Sequence, residues 1–267
     1  MSSSAQRALR ILEAIGVADR PLGVTELGRN LAIPAGTAFR SLDALERGGL
    51  VSRFQSSPRY VLGPTLNRLR HTLFAQFPIR DVCTPYLRQL AFASGETTSL
   101  TVAVGWYGVR IAAAPGVNEV TSSPPLGVAG TLATGGACRA ILAFLADGSA
   151  ARMATWAQKH ALPIPAAHRL EAELVTIRQR GFAVEAAPFA ARRASIALPI
   201  RAGGGTHAAI AIEGPVLDLD NPRYHDDLGR WTEIVAAIED LARIHPALFA
   251  DPFGHLERDT VVFDDIR

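Results

Sequence analysis

The chain has 267 residues, of which 48% are hydrophobic and 19% charged, so its composition excludes a disordered protein and supplies ample material for a core. This length suits two domains or one large one. No apolar run reaches the roughly 18 residues that a membrane-spanning helix needs, and the polar start lacks the apolar segment of a signal peptide. We therefore expect a cytoplasmic protein. Cys83 and Cys138 are expected to be buried free thiols, because they lie far apart and form no C-x-x-C pair.

The formal charge is unevenly distributed along the chain. Residues 1–80 hold eleven arginines and five acidic residues, which gives +6. Residues 81–267 hold sixteen basic and twenty acidic residues, which gives −4. A basic segment joined to an acidic one is typical of a nucleic-acid-binding module attached to a second domain.

Apolar residues recur at helical spacing in the first fifty residues and predict three helices. The first is expected over Ser4–Gly16. The second begins with Thr25 as its N-cap, and the third has Pro34 at its first position and ends near Arg47. Three short helices in this order indicate a helix-turn-helix.

The third of these helices is the candidate reader of DNA. Its first turn consists of small residues, which allow a helix backbone to approach base edges in a major groove. Thr37 and Arg40 lie three residues apart and therefore point to the same side. The residues of this region that we expect to contact DNA are Thr25, Pro34, Gly36, Thr37, Phe39 and Arg40.

Two alternating apolar segments flank the polar turn Gln55–Pro58 and predict a β-hairpin. Arg53 and Arg59 lie on either side of this turn, where they can meet phosphates. A hairpin after a helix-turn-helix indicates a winged helix-turn-helix. The alternative is a small three-helix module whose arginines are merely solvated.

This region resembles the IclR family of bacterial transcription regulators in the segments Ala5–Leu12, Leu27–Pro34, Thr37–Leu42 and Arg47–Val51. The resemblance implies that residues 1–62 bind double-stranded operator DNA and that the third helix is the recognition helix. It also implies that a helix over residues 63–77 links two domains and helps to form a homodimer. A plain amphipathic packing helix is the alternative for that segment.

The rest of the chain mixes helical and strand patterns. Residues 98–114 predict two strands around the turn Gly105–Gly108, in which Trp106 and Tyr107 are candidates for a pocket lid or a subunit interface. Further strands are expected over 182–185, 194–200 and 207–213, and helices over 137–146, 166–180 and 222–245. Helices segregated from strands indicate an α+β domain with a mostly antiparallel sheet.

The IclR resemblance continues through the segments Pro85–Ala91, Ala133–Leu145, Arg180–Val184 and Ser195–Ile200. It implies a GAF-like effector-binding domain over residues 78–250, followed by a polar tail over 251–267. It further implies a homodimer, or a dimer of dimers, on a near-palindromic operator.

The segment Thr134-Gly135-Gly136-Ala137 leads directly into a helix, and its backbone amides suit an anion such as a carboxylate. An ordinary glycine-rich helix start is the alternative. The resemblance places this segment at an effector pocket and adds Glu185, Ser195 and Glu213 to it.

Glu213 stands where the family often has serine, and a buried carboxylate needs a partner. Either the effector supplies N–H, O–H or cationic groups, on an aromatic or carboxylate body, or Glu213 pairs with Arg192, Arg193 or Arg201.

Catalysis is not expected. The seven histidines are scattered without metal-binding spacing, and a Gly-x-Ser-x-Gly motif is lacking, so we expect no catalytic residue, metal or cofactor. The sequence therefore predicts an effector-controlled transcription regulator such as a repressor. A ligand-independent architectural DNA-binding protein is the main alternative, and the large second domain argues against it.

Overall fold

The computed structural model describes residues 3–55, 57–117, 126–127, 129–146, 148–186, 193–202, 205–215, 222–250 and Arg258. The chain divides into two units, Met1–Gln76 and Phe77–Arg267. No helix in the described part is long and apolar enough to cross a membrane. Apart from Arg258, the tail that we expected over 251–267 lies outside the described residues.

The described part of the first unit contains four helices: α1 Ser4–Gly16, α2 Val24–Asn30, α3 Ala35–Arg47 and α4 Pro64–Ala75. Ser3 caps α1, because its Oγ accepts a hydrogen bond from the Gln6 N–H at 3.2 Å while its own N–H donates to Gln6 Oε1 at 2.8 Å. This reciprocal capping box fixes where the helix begins. The predicted range of α1 is confirmed.

Three short strands complete the first unit: β1 Leu22–Gly23, β2 Val51–Arg53 and β3 Arg59–Leu62. They form an antiparallel sheet in the order β1-β3-β2, which confirms the predicted hairpin. β1 was not predicted, because two residues carry no alternating pattern. The core of the unit is formed by Ile11, Ile15, Leu22, Leu27, Ile33, Ala38, Leu42, Leu45, Val51 and Tyr60.

Two predicted helix starts are wrong. Gly23 is the N-cap of α2, and Thr25 lies inside the first turn. The cause is that β1 pairs with β3, so extended backbone runs as far as Gly23 and the helix begins directly after it. Pro34 is the N-cap of α3 rather than its first residue. Its ψ angle is 136°, and its carbonyl accepts a hydrogen bond from the Ala38 N–H at 2.9 Å.

The second unit contains a six-stranded sheet: β4 Thr97–Val104, β5 Tyr107–Ala114, β6 Ala129–Thr131, β7 Ala183–Ala186, β8 Arg193–Ala202 and β9 Gly205–Pro215. The order is β6-β5-β4-β9-β8-β7, and the pairings between these strands are antiparallel. The predicted α+β class with a mostly antiparallel sheet is confirmed. β4 lies beside β9 although the two are far apart along the chain.

The described part of the second unit also contains the helices α5 Pro78–Ser94, α6 Gly136–Ala143, α7 Ser149–Lys159, α8 Ala167–Arg180 and α9 Pro222–Ile244, with a 3-10 turn at Pro246–Phe249. α5 and α6 cover opposite faces of the sheet, and α7 and α8 pack on α6. Thr98 Oγ1 donates to the Leu87 carbonyl at 2.8 Å, which marks the face that α5 covers. The neighbouring Ser99 points to the opposite face, on which α6 packs. α7 was not predicted, because Met153 and Trp156 are its only large buried apolar residues.

Candidate functional sites

The side of α3 that faces away from the core carries the residues predicted to contact DNA. Gly36, Phe39 and Arg40 are exposed, and a methyl group added at Gly36 would meet open space. Arg40 Nη2 donates a hydrogen bond to Thr37 Oγ1 at 3.4 Å. These four residues therefore form one surface with donors, an acceptor and little bulk in the first turn, which is what a base-reading helix needs.

The arginines beside the wing turn are half-exposed and already have protein contacts. Arg53 Nε lies 3.3 Å from Glu46 Oε1, and its guanidinium lies 5.7 Å from the centre of the Tyr60 ring. Arg59 Nη1 donates to the Pro21 carbonyl at 3.0 Å. A phosphate that binds at either position must compete with, or add to, these contacts.

Glu26 of α2 is a carboxylate among arginines that the sequence did not single out. Arg20 donates a hydrogen bond to Glu26 from each of its two terminal nitrogens, and Arg59 Nη1 lies 3.6 Å from Glu26 Oε2. The hydrogen bond from Arg20 lowers the pKa of Glu26 and raises the pKa of Arg20. Glu26 therefore holds two cations of the basic unit in place.

A groove of about 740 Å³ lies between the start of α1 and the side of α3 that runs from Pro34 to Ala44. Arg7 of α1 lines it together with Thr37 and Arg40 of α3. Sequence patterns could not join these residues, because the packing of one helix on another is not visible in either helix alone. The groove adds a second arginine beside the predicted recognition surface.

The predicted effector residues of the second unit meet on the face of the sheet that α6 covers. Glu185 of β7 is directly opposite Ser195 of β8, Ser195 is opposite Glu213 of β9, and Glu213 is opposite Thr97 of β4. Directly opposed residues point to the same face of an antiparallel sheet. These four residues, here called the polar row, cross four adjacent strands.

The start of α6 lies over the Glu185 end of the polar row. The Gly136 N–H donates to Glu185 Oε2 at 2.7 Å, and a Cβ atom at Gly136 would stand 3.0 Å from Ser195 Oγ. Arg139 Nη2 donates to Glu185 Oε1 at 3.3 Å. We expected an effector anion to bind the backbone amides of this segment. In the structure the Gly136 amide instead binds a carboxylate of the chain itself.

Thr134 and Ala137 flank this contact and remain accessible in part. Thr134 Oγ1 donates to the Thr131 carbonyl at 2.9 Å, so the side chain closes its own turn. Gly135 has a φ of +80°, a backbone conformation that favours glycine. The segment is thus a rigid entry to α6 whose edge borders the polar row.

Glu213 pairs with Arg110 of β5, a partner that the sequence analysis missed. Arg110 Nη2 donates to Glu213 Oε1, and Ser99 Oγ donates to the same oxygen at 2.9 Å. Of the partners considered from sequence, Arg201 pairs instead with Glu239 at 3.1 Å, while Arg192 and the side chain of Arg193 lie outside the described residues. The one available signal was an arginine within the otherwise apolar segment Tyr107–Ala114.

The buried thiol of Cys138 lies close to the charged groups of Glu185, Arg139 and Arg110. The pKa of its thiol is raised to about 12, first by burial and then by the negative charge of Glu185, while Arg139 and Arg110 act to lower it. Cys83 is also buried and free, and burial raises the pKa of its thiol to about 12. Both thiols therefore stay protonated near neutral pH, and the prediction of buried free thiols is confirmed.

The turn aromatics are neither a lid nor an exposed interface. Trp106 and Tyr107 are buried, and the rings of Tyr107 and Trp156 meet edge to face at 5.4 Å. Arg258 covers the Trp106 ring at 5.7 Å. In the described part of the chain, no group of three or more His, Cys, Asp or Glu side chains could hold a metal ion.

Comparisons with known proteins agree with this two-unit architecture. Residues 4–53 match a family model described as the IclR helix-turn-helix domain, and residues 71–240 match the bacterial transcriptional regulator IclR C-terminal model. The second model alone covers more than half of the chain.

Several curated and solved proteins are similar over most of their length. The regulator BhcR of Paracoccus denitrificans is 28% identical over 223 residues, which cover 81% of this chain and 79% of BhcR. The probable regulator SauR of Cupriavidus necator is 28% identical over 230 residues, covering 80% of this chain and 87% of SauR.

Among solved structures, the IclR protein of Thermotoga maritima has a TM-score of 0.67 at 23% identity, covering 88% of this chain and 98% of that one. An IclR homologue from Microbacterium hydrocarbonoxydans, solved with 4-hydroxybenzoate, has a TM-score of 0.72 at 20% identity, covering 89% and 98%. These two likenesses concern the fold. From the two family models, the chain belongs to the IclR family of bacterial transcriptional regulators.

Proposed function

We propose that this regulator binds operator DNA through α3 and the wing, and that a small molecule at the polar row changes its affinity for the operator. The observation that carries the proposal is the convergence of Glu185, Ser195, Glu213 and Gly136 at one polar site beneath α6. An ordinary hydrophobic core would not gather these groups, because each buried polar atom needs a partner.

The DNA-binding half rests on the exposed surface of α3 and on the +6 charge of residues 1–80. Arg40 and Thr37 are assigned to base edges, and Arg53 and Arg59 to phosphates. Thr25, Pro34, Gly36 and Phe39 complete this proposed contact surface.

We infer a homodimer, or a dimer of dimers, on a two-fold operator. Leu69 and Leu73 lie one turn apart on α4 and are 50% and 43% exposed, which suits an apolar subunit contact. Only Gln76 lies between the end of α4 and the start of the second unit, so α4 is also the part of the chain that connects the effector-binding unit to the DNA-binding unit.

The effector is proposed to be an aromatic or carboxylate metabolite with N–H or O–H donors. The neighbour solved with 4-hydroxybenzoate, an aromatic carboxylate with an O–H donor, supports a ligand of this chemical class. To act as a switch, the ligand must bind the DNA-competent and DNA-incompetent states with different affinities.

This proposal can be tested by fluorescence anisotropy with promoter fragments taken from the DNA next to the gene that encodes this protein. We expect one fragment to bind well above random DNA, and at least one metabolite from the neighbouring pathway to change that binding. Equal affinity for all DNA would favour the architectural alternative, and specific binding that no metabolite alters would remove the effector role.

A further inference from the structure

The ion pair that Glu213 of the polar row forms with Arg110 is more buried than the ion pair between Glu185 and Arg139. The exposed side-chain fractions fall from 38% for Glu185 and 16% for Arg139 to 12% for Arg110 and 8% for Glu213. The row is therefore half-open at β7 and closed at β9, so a ligand entering beside Glu185 would reach this pair at the inner end.

A purely structural role explains this pair poorly. Arg110 reaches from β5 across the intervening β4 to bind Glu213 on β9, yet backbone hydrogen bonds already join these strands. Removing two charges from water is expensive, and replacing a buried ion pair by apolar side chains is often neutral or stabilising. We therefore take the pair to serve recognition rather than stability.

At the inner end of the site the charges of Arg110 and Glu213 neutralise each other. At the outer end Arg139 donates to both Glu185 and Glu173, so two acids share one guanidinium. A ligand carboxylate would lie near both acids, and a ligand cation would lie near both arginines. At a poorly hydrated site either charge is penalised, whereas a group with a donor beside an acceptor and no net charge is not.

We propose that Arg110 and Glu213 determine effector specificity by selecting a group without net charge that carries a hydrogen-bond donor beside an acceptor, as a primary amide does. The carbonyl of such a group accepts from the guanidinium, and its N–H donates to the carboxylate. This inference rests on the proposed effector role of the polar row.

The test uses the full chain and the double variant Arg110→Met with Glu213→Met, which keeps the volume and removes both charges. The matched control is Arg201→Met with Glu239→Met, an ion pair at 3.1 Å between β8 and α9. Thermal unfolding without ligand reports whether each variant folds.

The probes are matched acids and amides on three frames: lactate and lactamide, benzoate and benzamide, and 4-hydroxybenzoate and 4-hydroxybenzamide. 4-Hydroxyphenylglycine adds a zwitterion, which has a hydrogen-bond donor beside an acceptor and carries no net charge. Titration calorimetry should show an amide binding about tenfold or more tightly than the acid on the same frame, or the zwitterion binding about tenfold or more tightly than 4-hydroxybenzoate. The preference should vanish in the Arg110/Glu213 variant and persist in the control.

Tighter binding of an acid, a preference that survives in a folded Arg110/Glu213 variant, or no binding by any probe would each overturn the inference. Operator binding is measured in parallel. If an acid releases operator DNA, the proposed function stands while this inference falls; if operator binding is absent, the proposed function itself fails.

Discussion

The backbone N–H of Gly136 donates a hydrogen bond to Glu185 Oε2 at 2.7 Å, so the first turn of α6 is already occupied by a carboxylate of the chain. Free amides at a helix start attract anions, because they have no partner within the helix and the helix dipole is positive there. Glu185 thus stands where a ligand carboxylate would bind. Its removal should change which ligands the site accepts.

We expect Glu185→Ala to make the site more favourable to acids. The variant frees the Gly136 amide and leaves Arg139 with less negative charge beside it, so lactate, benzoate or 4-hydroxybenzoate should bind about fivefold more tightly, the equivalent of roughly 1 kcal/mol. Calorimetry measures this change. Glu173→Ala is the control, because Glu173 also pairs with Arg139, at 3.0 Å, but does not contact Gly136. Unchanged affinities in Glu185→Ala would refute the competition.

Arg40→Ala should weaken operator binding by about 1–3 kcal/mol and relax the preference at one base step, because Arg40 is assigned to a base edge. Arg59→Ala should instead weaken binding to all sequences alike and lower the salt dependence, as the loss of a phosphate contact does. Anisotropy against operator variants separates the two results. Arg47→Ala, at an exposed position in the last turn of α3, should have little effect on sequence preference. Equal losses on operator and random DNA for Arg40→Ala would remove its reading role.

Glu26→Gln should increase non-specific DNA affinity. The carboxylate holds Arg20 and lies 3.6 Å from Arg59, so neutralising it removes a negative charge and releases two cations toward phosphates. The slope of log affinity against log salt concentration should become steeper, by up to the amount that about one additional phosphate contact produces. Glu13→Gln removes the same charge from an exposed position on α1 and serves as the control. If Glu26→Gln and Glu13→Gln increase the affinity for DNA equally, the change in net charge alone explains the increase.

Gly108→Ala should destabilise the second unit by about 1–3 kcal/mol, because its Cβ atom would stand 2.5 Å from Cys138 Sγ and 3.0 Å from Thr101 Cγ2. Adding Cys138→Ala removes the sulfur and should restore part of the loss. Gly229→Ala, on α9 with open space around it, should instead stabilise by roughly 0.5–1 kcal/mol. Denaturant unfolding measures all three. Full stability of Gly108→Ala would contradict the close packing of α6 on β5.

Arg258→Ala should lower the stability of the second unit by about 1–2 kcal/mol. Arg258 Nη1 donates to the Gly105 carbonyl at 2.8 Å, and the guanidinium lies over the Trp106 ring. Its loss should also shift tryptophan fluorescence to longer wavelength as water reaches Trp106. Arg243→Ala, which removes an exposed ion pair with Asp240, is the control. An unchanged melting temperature and spectrum would show that the Arg258 contact does not form in solution.

The elements of the DNA-binding unit could be predicted from the sequence, because their signals are local. Helical spacing gave the range of α1, and alternation around Gln55–Pro58 gave the hairpin. The error at Thr25 arose because a helix start depends on what the preceding residues pair with, and the pairing of β1 with β3 links positions that are far apart in the sequence. Pro34 precedes α3 by one residue, with its backbone still extended at a ψ of 136°.

The sequence by itself also determined the antiparallel α+β class, and its resemblance to the IclR family supplied three candidate residues of the polar row. Only the tertiary structure decided their partners. Arg110 meets Glu213, and Glu185 meets the Gly136 amide, across long loops and neighbouring strands. Alternation tells which face of a strand a side chain takes, but the order of strands depends on packing of the whole sheet. Charge balance at the proposed site, and with it the expected chemistry of the ligand, therefore became visible only once β4 and β9 were side by side.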